Sequence, residues 1–187
     1  TLKHMPDLMA IPIAEMGWYP QLVRLKVSAC PNMIEYCEHT YLIKSLRTLI
    51  IYGKKGEHQG LSAFNTCVFP PNLTTIKMRS LNIPYPIKCF PMGIYNLQSL
   101  TTLSIRYCMV IEIPIKLLAL GRTLVNLSLR YCGLAKIPTY FKDMVKLRVV
   151  ILSNNLLQEV PFFVNCPHLS IVNLSHNQIS SLDAVQF

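Results

Sequence analysis

Apolar residues return along this chain in one short phrase. The stretches LTTLSIRYCMVIEIP (100–114), LVNLSLRYCGLAKIP (124–138), LRVVILSNNLLQEVP (147–161) and LSIVNLSHNQISSL (169–182) share L-x-x-L-x-L-x-x-N/C-x-L-x-x-L with aliphatic swaps, and three of them close on Pro. Within each, a pair alternates at period two: Leu103/Ile105, Leu127/Leu129, Val150/Leu152 and Val172/Leu174. That is the signature of a short strand with one buried face. The next fixed slot holds Cys108, Cys132, Asn155 and Asn177, where the chain leaves the strand and turns inward. Backbone groups buried by such a turn need partners. An Asn amide both donates and accepts, so stacked Asn residues form a ladder between coils. Cys fits the slot as a small, buried residue with a weak donor. The following aliphatic re-enters the core, and Pro114, Pro138 and Pro161 close the turn.

Toward the N-terminus the phrase weakens but persists. Residues 73–83 keep the strand and place Leu81 in the Asn/Cys slot; residues 46–51 give a strand followed by YGKKG; residues 22–30 restore the slot with Cys30. The second aliphatic of each unit, Leu25, Leu49, Ile76, Leu103, Leu127, Val150 and Val172, recurs at intervals of 24, 27, 27, 24, 23 and 22 residues. The pattern predicts about seven coils in one domain spanning 1–187, with a further degenerate coil in the first 20 residues. Neither end carries a convincing polar cap over the core, which stacked repeats require. The expectation is therefore a segment of a longer protein.

This phrase resembles that of leucine-rich-repeat proteins, over about residues 22–182 and most closely from 100 onward. The resemblance implies an α/β fold: a right-handed solenoid with a curved parallel sheet on its concave side and irregular or short-helical structure on its convex side. It also implies a role in protein recognition. The early phrase WYPQLVRLKVSACPNMIEY (18–36) is similar to coils of plant nucleotide-binding leucine-rich-repeat immune receptors. In those receptors the repeats sense a pathogen molecule or hold the nucleotide-binding part inactive. The later phrases LSNNLLQEVP and LSHNQISSL are shared with scaffold and adaptor repeats.

The variable positions of such strands point away from the core and read as columns across coils. One column is Ser28, Tyr52, Arg79, Arg106, Arg130, Ser153 and Ser175; the next is Ala29, Gly53, Ser80, Tyr107, Tyr131, Asn154 and His176. A third, between the two strand aliphatics, is Lys26, Ile50, Lys77, Ser104, Ser128, Ile151 and Asn173, with Arg24, Arg47 and Arg148 elsewhere on that face. Like charges on neighbouring strands repel, so three adjacent Arg call for a counter-charge. Planar guanidinium forks beside rigid rings also suit a recognition surface. The net charge of +9, from 18 Lys and Arg against 9 Asp and Glu, agrees in sign with an acidic partner. The candidate partner-binding residues are Arg79, Arg106, Arg130, Tyr107, Tyr131, Lys77 and Arg148. Ordinary strand-face residues duplicated between neighbouring repeats are the plain alternative. Nucleic acid or anionic lipid is disfavoured, since no known nucleic-acid-binding signature is present.

Other chemistry finds little support. There is no H-E-x-x-H, C-x-x-C or G-x-S-x-G, the five His are dispersed, and no two carboxylates form an acid/base couple. The expectation is a non-enzyme with no cofactor, no metal and no small-molecule substrate. The basic loop YGKKGEHQG (52–60) lacks the P-loop spacing and reads as a solvated insertion or a lateral binding element. No run of about 18 apolar residues predicts a membrane helix. Seven Cys without paired clusters point to a reducing, cytoplasmic setting. Three sequons, at Asn72, Asn126 and Asn173, arise readily where a repeat demands x-Leu-x. The functional expectation is a recognition module with a basic, Tyr-containing concave surface, as in the sensing domain of an intracellular immune receptor. The alternatives are a structural scaffold or adaptor, or the substrate-recruiting part of a multidomain kinase or ubiquitin ligase.

Overall fold

The computed structural model describes residues 1–3, 20–28, 43–53, 68–80, 90–110, 112–161, 163 and 165–180. Eight strands follow one another across a single parallel sheet in chain order: β1 (Leu2–Lys3), β2 (Arg24–Ser28), β3 (Thr48–Tyr52), β4 (Thr75–Arg79), β5 (Thr102–Arg106), β6 (Asn126–Arg130), β7 (Val149–Ile151) and β8 (Ile171–Asn173). The seven repeat markers fall one per strand in β2 to β8 and align in register, Leu25↔Leu49↔Ile76↔Leu103↔Leu127↔Val150↔Val172. The short β1 lies in the stretch where a degenerate coil was expected and pairs with β2. Several sequence expectations fall outside the described residues: most of that first coil, the slot residues Cys30 and Leu81, the loop from residue 54 to 60, and the last coil beyond residue 180.

A sequential parallel sheet needs a return path from the end of each strand to the start of the next. Among the described residues, three of these returns contain a 3-10 turn: Met92–Asn96, Ile115–Leu120 and Thr139–Asp143. A proline immediately precedes each, at 91, 114 and 138. Proline's fixed φ suits a helix start, where a missing N–H costs nothing. Its carbonyl then accepts from the residue three further on, as in Leu117 N–H to Pro114 O at 2.9 Å and Phe141 N–H to Pro138 O at 3.1 Å. The prolines that close the sequence phrase therefore open the next turn.

Each coil also clips to its neighbour where the strand begins. The carbonyls of Arg47, Thr74, Thr101, Val125 and Arg148 each accept two successive N–H groups of the following coil at 2.8–3.1 Å. Between sheet and return path lies one continuous apolar strip. Leu103, Leu127, Leu129, Val150, Leu117, Leu120, Phe90 and Phe141 are all fully buried within it. Truncating one such Leu or Phe to Ala costs about 2–5 kcal/mol in a well-packed core. Two expected outward positions behave otherwise: Ser153 is only 1% exposed, and Ile50, in the middle of β3, is only 3% exposed. Lys26 and Lys77 flank it in register, and long lysine stems favour lying over apolar surface.

Candidate functional site

The residue that follows the Arg and Ser column takes a left-handed backbone in five described coils: Ser80 (φ 52°), Tyr107 (55°), Tyr131 (54°), Asn154 (60°) and His176 (56°). For a bulky L-residue this region is strained by about 1–2 kcal/mol. The coil demands it because the chain must turn sharply while its N–H still reaches the next coil. Ser80 N–H donates to Arg106 O at 2.8 Å, Tyr107 N–H to Arg130 O at 3.1 Å and Asn154 N–H to Ser175 O at 2.9 Å. The same turn swings two tyrosine side chains onto the outward face of the sheet.

There Tyr107 and Tyr131 stack, with ring centroids 4.4 Å apart and planes 23° from parallel. They remain 40% and 39% exposed. Arg79, Arg106 and Arg130 end β4, β5 and β6 in direct register. The Arg79 guanidinium lies 5.4 Å from the Tyr107 ring. Arg106 sits beside the pair, 4.9 Å from Tyr107 and 5.4 Å from Tyr131. Such cation–π contacts contribute about 0.5–1 kcal/mol each at exposed sites, and here they hold like charges close together. Arg106 also reaches the Tyr107 hydroxyl at 3.4 Å, while its Nε is buried with no hydrogen-bond partner. Arg130 is anchored differently, its Nε–H donating to Ser153 Oγ at 3.0 Å.

The cations leave a mark on Tyr107. Partial desolvation raises its phenol. The hydrogen bond and charge of Arg106, the hydrogen bond with Tyr131 and the charge of Arg79 together outweigh that, leaving the group below its ordinary 10.0. The field is one-sided because no strand of the sheet contains a carboxylate. Among the described residues the acids are Glu112, Asp143 and Glu159, all on the return paths.

The structure thus brings together Arg79, Arg106, Arg130, Tyr107 and Tyr131. Lys77 is exposed on β4, two residues before Arg79 and on the same face. Arg148 is not part of the group. It precedes β7, and the Arg column meets its coil five residues later at Ser153, about 16 Å along an extended chain. Ser153 itself, read as an outward member of that column, is only 1% exposed, and its role as the anchor of Arg130 was not foreseen. Its place as the next residue of the Arg column was the available signal. A second cation–π contact lies further along the face, with Lys26 Nζ 5.0 Å from the Tyr52 ring.

Beneath the turn, the Asn/Cys slot satisfies buried backbone. Asn155 donates to Leu129 O (2.7 Å) and Leu152 O (2.8 Å), and its Oδ1 accepts from Cys132 N–H (3.0 Å) and Leu134 N–H (3.2 Å). Asn177 repeats this, donating to Leu152 O and Leu174 O and accepting from Leu157 N–H. Cys132 offers a single thiol proton, between Arg130 O at 3.3 Å and Ile105 O at 3.6 Å. Burial, with the neighbouring Cys108, pushes that thiol up to about 12. It is a structural group rather than a nucleophile, since the thiolate is the reactive form.

Comparison with known proteins agrees with this geometry. A family model for leucine-rich repeats, two copies, matches residues 145–186. The chain has a leucine-rich-repeat solenoid fold. Among solved structures, a leucine-rich-repeat protein of Leptospira interrogans superposes with a TM-score of 0.51 at 19% identity, over 91% of this chain and 53% of that one. The chain therefore spans about half the length of that solenoid. A comparison with curated proteins gives no match. The family match falls on the two coils whose slot holds Asn, and the coils that carry the Arg column lie outside it.

Proposed function

We propose that this solenoid is a non-catalytic recognition module that grips an acidic protein surface with the outward face of β4 to β6. The observation that carries this reading is the unbalanced column of Arg79, Arg106 and Arg130 around a half-exposed tyrosine stack, on a sheet whose strands contain no carboxylate. Leucine-rich-repeat domains commonly serve protein–protein interaction, which supports the same reading. Its finer form is a cytoplasmic sensing domain like that of plant intracellular immune receptors, resting on the wording of residues 18–36. Among the described residues, the buried thiols of Cys132 and Cys166 are outside any disulfide, which fits a reducing compartment.

The test is capture from native extract with two baits, the chain and its Arg79→Glu/Arg106→Glu/Arg130→Glu variant. A partner held only by the unmodified bait and released by moderate salt supports the reading, because exposed charge pairs are screened within about 10 Å at 0.1 M. Equal retention by both baits overturns it. The second reading, a scaffold that makes contacts through its return side, is favoured by one feature. A groove of about 610 Å³ lies there, lined by Val68, Phe69, Met92, Tyr95, Ile115 and Ala119.

A further inference from the structure

Granting that this face binds an acidic protein, its geometry says what shape the acidic segment has. The Arg column runs across the strands, one guanidinium per coil, with Arg79↔Arg106↔Arg130 in register. Neighbouring strands are about 4.8 Å apart, so the column spans roughly 0, 5 and 10 Å. These positions are meaningful because two of the three side chains are held. Arg106 lies against both tyrosine rings and Arg130 is tied to Ser153. The column is also bounded: the same position carries Tyr52 on one side and Ser153 on the other.

An extended peptide presents same-face side chains about 6.7 Å apart, so three successive ones span about 13 Å and drift out of step with the column. Laid parallel to the strands, it would meet one Arg only. An α-helix rises about 1.5 Å per residue, which places side chains i, i+3 or i+4, and i+7 at about 0, 4.5–6 and 10.5 Å on one face. That spacing matches the column within about 1 Å. The adjoining tyrosine pair offers exposed ring surface for the apolar residue that borders an acidic stripe. We infer that the occupant is an acidic α-helix of a protein partner, lying across β4 to β6, with carboxylates at i, i+3 or i+4, and i+7 facing Arg79, Arg106 and Arg130.

The probes are three synthetic peptides of about 16 residues and identical composition, long enough for partial helicity. One carries three Glu on a single helical face. The second scatters them around the helix. The third keeps the facial order but has its helix interrupted by D-residues. Binding is read by fluorescence anisotropy at low salt, with a single-stranded RNA as competitor. The facial helix should bind at least tenfold tighter than either isomer. It should lose that advantage on the Arg79→Gln/Arg106→Gln/Arg130→Gln variant, which removes charge without adding repulsion. Equal binding of all three peptides, abolished by the triple Gln variant, overturns the helix and leaves the acidic-surface reading standing. No peptide binding to a protein whose circular dichroism is intact overturns both. RNA that displaces the facial peptide at lower concentration than the peptide's own dissociation constant overturns the protein occupant in favour of a nucleic acid.

Discussion

The coils around β5 and β6 and those around β7 and β8 solve the same folding problem with different chemistry. In the first pair the slot beneath the turn is Cys108 and Cys132; in the second it is Asn155 and Asn177. Asn155 satisfies four buried backbone groups with one side chain. Cys132 cannot, and the chain compensates through the backbone: Val110 N–H turns to Cys132 O at 2.8 Å. Where the following coil holds Asn, the matching Leu134 N–H of the Cys132 coil is taken by the Asn155 amide oxygen instead. Above the slot the contrast reverses. The Cys coils display Arg and stacked Tyr, whereas the Asn coils display Ser153, Asn154, Ser175 and His176. The Asn coils put side-chain hydrogen bonding into holding the coil together. The Cys coils put their polar, charged chemistry on the surface.

The largest expected effect breaks the first half of that contrast. Asn155→Ala strands the Cys132 and Leu134 N–H groups and the Leu129 carbonyl at a 5%-exposed site, while Leu152 O keeps the Asn177 amide. Each buried unsatisfied group costs about 1–3 kcal/mol, so a loss of at least about 3 kcal/mol is expected after partial relaxation. Cys132→Ala removes only a weak donor and a small volume and should cost about 1 kcal/mol. Urea denaturation of the two variants reads the difference. Equal losses would show that the Cys slot is as demanding as the Asn slot.

The next effect is a pH dependence that the Asn slot lacks. Cys132 is held near 12, against an ordinary 9.0 for the unfolded chain. The folded thiol thus keeps its proton while the unfolded thiol loses it. Its contribution is complete below pH 9.0 and falls as pH rises from there toward 12, by at most about 1.4 kcal/mol per pH unit. Cys166, also raised by burial, acts in the same direction. Tyr107 has the opposite sign: held below 10.0, it adds stability only as pH climbs through its folded value. Urea midpoints between pH 8.5 and 10.5 should drop more steeply for the wild type than for Cys132→Ser. Parallel slopes would mean that the thiol is better solvated than its buried setting implies.

These differences mark how far the sequence could be read. The strand positions, their register and the slot followed from period-two alternation and a 22–27-residue spacing, because one buried face and one coil length leave little freedom. The columns of outward residues followed too, and they placed Arg79, Arg106 and Arg130 side by side. Burial across the columns did not follow. Ile50 and Ser153 were read as outward and are buried, and Arg148 was counted among the partner-binding residues although it sits at the other end of its strand from the Arg column. The ring stack, the guanidinium contacts and the Ser153 anchor also lay beyond reach. They depend on a left-handed turn at residues 107 and 131 that no local preference of tyrosine announces.

A smaller effect tests the electrostatics directly. Arg106→Met removes the hydrogen bond and the charge that hold Tyr107 below its ordinary range. Ultraviolet titration of a variant in which Tyr107 is the reporter, with Tyr107→Phe as the subtraction control, should show its phenol moving upward. No movement would mean that Arg79 and Tyr131 suffice, and that Arg106 is free to face solvent.

The smallest expected effect concerns the strained turn itself. Asn154 occupies the left-handed position in the Asn coil, and Asn tolerates that region better than Tyr. Converting Tyr107→Asn relieves backbone strain of about 1–2 kcal/mol. It also forfeits a ring stack worth about 0.5–1.5 kcal/mol and the cation–π contacts of Arg79 and Arg106. The two sides nearly cancel, so a thermal melt should move little, by the equivalent of less than about 1 kcal/mol. Affinity for the facial acidic peptide should nonetheless fall, because the guanidiniums lose the ring that holds them in step. Stability unchanged with binding weakened would show that the tyrosines are kept for the surface. A destabilisation above about 2 kcal/mol would show instead that the stack holds the central coils together, and that the contrast with the Asn coils is one of architecture alone.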